Sequence, residues 1–119
     1  FRFIQLPYNL VYREAYLLKN QTVGSDNDLT ILEACNKLNI GVFTSVPLLQ
    51  AKLFNAKIPD YLGIDNQLLK IVQLTRSTPN VIAPLLGQKK LDHVKQNIEL
   101  AKVAPLNNSE FNEAIKILN

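Results

Sequence analysis

Apolar and polar positions along this chain follow two rhythms, and the switches between them divide it into seven elements. Arg2 to Leu6 is a short apolar-rich strand closed by Pro7. A long polar stretch follows, from Tyr8 to about Asn27, holding Gly24, Ser25, Asp26 and Asn27. Loops of that length without structure are uncommon and often functional. Thr30 and Glu33 have the spacing of a capping box, and Ser25 with Asp28 offers a looser version one turn earlier. The helix so opened runs to about Leu38, with Ile31, Cys35 and Leu38 on one face. Ile40 to Thr44 is a second strand, and Ser45 to Ile64 is a second long loop punctuated by Pro47, Pro59 and Gly63. Asp65 opens a helix whose apolar stripe is Leu68, Ile71 and Val72, with Thr75 marginal; Pro79 stops it. Val81 to Leu86 is a third strand, and Leu91 to Val103 a helix with Leu91, Val94, Ile98 and Ala101 at helical spacing. Pro105 ends it, and Asn107 or Ser109 caps a last helix through Leu118.

Strands that alternate with helices imply parallel strands joined by right-handed crossovers. IGVF and VIAPLL are almost continuously apolar, as strands covered on both faces are. The long loops follow strands, at the ends where α/β folds build their sites. Pro84 is the awkward residue. It cannot donate to a ladder, so the third strand has either a free side there or a bulge.

Composition narrows the picture only slightly. The 119 residues make at most one modest domain, and the 47% hydrophobic content is too high for disorder. No apolar run approaches the roughly 20 residues of a membrane span, and no leader segment is evident, so a membrane partner is not expected. Thirteen basic against ten acidic residues is too mild an excess for a nucleic-acid binder. The one cysteine, Cys35, sits among apolar helix positions and is expected to be buried and inert, which suits a reducing cytoplasm. The sequence has no methionine and starts at Phe1 with a strand and no lead-in, which reads as a processed chain or the tail of something longer.

The segment richest in chemistry is Thr75 to Ala101. A strand runs through Gly87, Lys89 and Lys90 into a helix N-terminus, the layout of a phosphate site. Backbone N–H groups and the positive end of the helix dipole converge there, and lysines add full charges. Each residue also has a plainer reading: Gly87 as a turn glycine, the lysines as a solvated pair, His93 as an idle surface histidine.

Four local patterns, in order, carry a resemblance. They are QLPYN at Gln5–Asn9, NIGVFTSVPLLQ at Asn39–Gln50, RSTPNV at Arg76–Val81 and GQKKLDHVKQNI at Gly87–Ile98. Together they span nearly the whole chain, which resembles the C-terminal part of an aldo-keto reductase from about the sixth barrel strand onward. The resemblance implies an α/β fold that forms part of a (β/α)8 barrel: three parallel strands, flanking helices and a C-terminal helix in a single incomplete domain over 1–119. It also implies NADPH as cofactor. By position, Gln5 matches the residue that holds the nicotinamide carboxamide. Ser45, Pro47, Leu48 and Gln50 match the loop along the nicotinamide and pyrophosphate. Gly87, Gln88, Lys89 and Lys90 match the grip on the adenosine 2′-phosphate, with His93 near it, and Gln96 and Asn97 match the pair that bonds the adenine.

Departures from the family pattern matter. Many relatives have a ring at the position of Ser45, stacked on the nicotinamide. Serine cannot stack; either the ring is held more weakly or Tyr8 takes that place. Lys90 and Leu91 stand where Ser/Thr and Pro are common, which removes a hydroxyl and a rigid helix start. The family's catalytic aspartate, tyrosine, lysine and histidine come from the other half of the barrel. The resemblance therefore implies no catalytic residue here and no reductase chemistry in this chain by itself. The complete protein is expected to reduce aldehydes or ketones; the alternative is a truncated or split module of the same fold acting in binding or assembly. Three strands of a barrel leave two open edges and an uncovered inward layer, including some of Phe3, Leu6, Val42, Val81 and Leu85. Self-association, or pairing with the missing barrel half, is expected.

Overall fold

A computed structural model describes residues 2–45, 64, 66–87 and 90–118. In chain order they form β1 (Phe3–Pro7), α1 (Glu14–Leu17), β2 (Gln21–Val23), β3 (Asp26–Leu29), α2 (Ile31–Lys37), β4 (Gly41–Ser45), α3 (Gln67–Arg76), β5 (Ala83–Pro84), α4 (Leu91–Leu100) and α5 (Asn108–Leu118). The main sheet has order β1–β4–β5, with both pairs parallel, and β2–β3 is a separate antiparallel hairpin. This is a small mixed α/β structure.

Local chemistry explains most boundaries. The Thr30 hydroxyl accepts from the Glu33 N–H at 3.1 Å while the Glu33 carboxylate accepts from the Thr30 N–H at 2.8 Å, so α2 opens on a complete capping box. Its other end is a Schellman turn. Asn39 takes a left-handed φ of 55°, the Ile40 N–H reaches the Cys35 carbonyl and the Asn39 N–H reaches that of Asn36. Asn66 caps α3, and Asn107 with Glu110 forms a reciprocal pair at the start of α5.

Three expectations are corrected by the structure. The stretch from Tyr8 to Asn27 is not a bare loop; it holds α1 and the β2–β3 hairpin, whose turn uses Gly24 at φ 60°. The third strand shrinks from Val81–Leu86 to two residues. In the even spacing of a parallel ladder, residue 84 would donate next after the Ile82 N–H to Val42 carbonyl bond. Proline has no proton to give, so the Leu85 N–H donates to the Thr44 carbonyl instead, at 2.7 Å. Both foreseen consequences occur together, since β5 is an edge strand and its ladder is irregular. The α4 stripe is also rotated: Leu91 is 67% and Ile98 57% exposed, Ala101 is exposed, and the inward row is Val94, Asn97 and Leu100.

The two faces of the sheet differ. Ile4 and Leu6 of β1 and Val42 of β4 pack with Leu32 and Cys35 of α2 and with Val81. Phe3, Gln5, Phe43 and Leu85 lie on the opposite face, where Phe3 is 59% and Leu85 44% exposed. Of the residues expected to lie uncovered, Phe3 and Leu85 do; Leu6 and Val42 belong to the packed face because strand alternation turns them toward α2, and Val81, ahead of β5, packs with them. A second apolar cluster joins α3 and α5 through Ile71, Leu74, Phe111, Ala114 and Ile115, and a third joins α3 and α4 through Val72 and Leu100.

Candidate functional site

Two groups of the expected site residues fall within the described structure, on different elements. The first is on the bare sheet face. Gln5 stands mid-strand on β1, exposed, in register with Phe43 of β4. Ser45 ends β4 on the same face, half-buried, and its carbonyl accepts the Tyr8 N–H at 3.2 Å. Around Gln5 lies an open cleft of about 300 Å³ lined by Phe3, Ile4, Gln5, Phe43 and Leu85. Its walls are apolar and Gln5 supplies the one carboxamide, the composition of a pocket that orients a flat ligand by a single polar contact.

The second group is on α4. Lys90 is the N-cap residue, exposed, and among the described residues no side chain caps the helix. The first-turn N–H groups of a ten-residue helix are therefore left for solvent or an anion, although Asp92 in that turn works against negative charge. His93 and Gln96 are exposed. Asn97 turns inward between Val94 and Leu100, and its side-chain oxygen is buried with no hydrogen-bond partner. A buried acceptor left unpaired costs about 1–3 kcal/mol. Gly87 is exposed, and a Cβ built on it would meet nothing within 4 Å, so protein packing does not require glycine there. Pro47, Leu48, Gln50, Gln88 and Lys89 lie outside the described residues.

The chain joins the two groups by a short path. Leu85 lines the sheet-face cleft, Gly87 follows two residues on, and α4 begins at Leu91. Tyr8 plays no part on that face. It is fully buried, the Thr78 hydroxyl donates to its oxygen at 3.0 Å, and burial pushes its phenol up to about 12 against the pull of Thr78 and Arg13. It cannot stack on a ligand above Gln5.

Sequence reasoning missed what ties α4 and α5 to the rest. Gln73 donates to the Ala104 carbonyl, the Arg76 guanidinium donates to Gln73 and to the Val103 carbonyl, and the Ser77 hydroxyl donates to the Gln73 carbonyl while accepting the Leu106 N–H. Burial pulls the Arg76 guanidinium below its ordinary pKa. The signal was a Gln and an Arg on the inward side of a helix otherwise apolar there. Phe43 lines the cleft beside Gln5, whereas in the sequence it counts only as part of an apolar strand. Among the described residues no group of three or more His, Cys, Asp or Glu side chains could hold a metal ion, and no helix is long and apolar enough to cross a membrane. No family model, no curated protein and no solved structure matches this chain.

Proposed function

We propose that this chain is the cofactor-binding portion of an NADPH-dependent aldo-keto reductase, a segment of a (β/α)8 barrel that works in the cytoplasm. The observation that carries the reading is the uncapped N-terminus of α4, reached from β5 through Gly87 and flanked by Lys90. Such a terminus suits a phosphate, and the free space at Gly87 is consistent with close approach of a ligand to the backbone. Gln5, in an apolar cleft and with a side chain that makes no hydrogen bond among the described residues, suits a nicotinamide carboxamide. Gln96, exposed on α4, suits an adenine edge, whereas Asn97 faces inward and is not brought to the same side. Gln5, Lys90 and Gln96 fit the cofactor in kind. Bound NADPH would supply hydride to an aldehyde or ketone. The residues here bind and orient it, and the acid that protonates the product oxygen is not among the residues matched.

Calorimetric titration with NADP⁺ and NAD⁺ of the chain assembled into an intact barrel tests this. A charge-assisted contact is worth about 1.5–3 kcal/mol, so NADP⁺ is expected to bind at least about tenfold more tightly, and Lys90→Ala to narrow that gap. Equal binding, or none, would sink the proposal. Turnover of a simple aldehyde by this chain alone would refute the division of labour. A second reading, a non-catalytic assembly module, is favoured by the bare sheet face and the open strand β1. Binding measured beside sedimentation separates the two: a chain that self-associates without taking up NADP⁺ supports the second and removes the first.

A further inference from the structure

We draw no further inference here: the strongest candidate, the open apolar cleft on the bare face of the β1–β4–β5 sheet between Phe3, Phe43 and Leu85, carries nothing because nothing in the structure shows what covers it.

Discussion

The packed and bare faces of the β1–β4–β5 sheet are built from the same strands, yet they obey different rules. On the packed face every large side chain meets a helix: Ile4, Leu6 and Val42 against Leu32 and Cys35. On the bare face Phe3, Phe43 and Leu85 meet mainly one another and a cleft. Strand alternation separates them residue by residue, so one strand packs against a helix on one side and lines an open cleft on the other. The lesson is that apolar character alone does not mark the core. What distinguishes the faces is whether a helix follows the strand closely enough to cover it.

The largest test of this contrast is truncation. Leu32→Ala, on the packed face, is expected to cost about 3 kcal/mol in urea unfolding, while Phe3→Ala on the bare face costs less than about 1 kcal/mol. Comparable losses would erase the distinction between the faces.

The next test uses pH. Tyr8, just past β1, is fully buried against Thr78, and its phenol is raised from 10.0 to about 12 by that burial. In the unfolded chain it ionises near the ordinary value, so its share of stability is fully present below about pH 10 and is lost as pH rises toward 12. That share is on the order of 2–3 kcal/mol. Denaturation curves between pH 9 and 12 should show the decline, and Tyr8→Phe should flatten it. An equally steep decline in the variant would assign the effect to other groups.

The smallest effect concerns a misfit within the packed face. The Thr44 hydroxyl is fully buried on β4 with no hydrogen-bond partner. Thr44→Val keeps the shape and removes the orphan oxygen, so a gain of up to about 1 kcal/mol is expected. A clear loss would mean that the hydroxyl has an ordered partner.

Legibility in the sequence followed the range of the interactions. The capping box at Thr30 and Glu33, the cap at Asn107, the burial of Cys35 and the three strands in parallel order were all readable, because each depends on near neighbours or on a simple period. The β2–β3 hairpin was not. Its strands, QTV and DNDL, are short and mostly polar, and they are held by pairing to one another and to α2, where Lys37 meets Asp26 at 2.8 Å. The rotation of α4 was misread because its inward row includes Asn97, which no apolar pattern would nominate. Of the candidate site, Ser45 at a strand end and Lys90 before a helix could be anticipated from the elements, while Gln5, mid-strand, was nominated only by the family resemblance. The place of Phe43 beside Gln5 could not be anticipated, since it depends on which residue of another strand pairs there.

Pro84 has a consequence for alignment. With Ile82 and Leu85 as the donors to β4, the imino nitrogen already stands where the next donor belongs, and the proton comes from one residue further on. The missing hydrogen thus inserts an extra residue between the two donors, which leaves Val81 on the packed face and Leu85 on the bare one although they are four positions apart. The apolar rim that Leu85 gives the cleft is owed to an atom the protein does not possess.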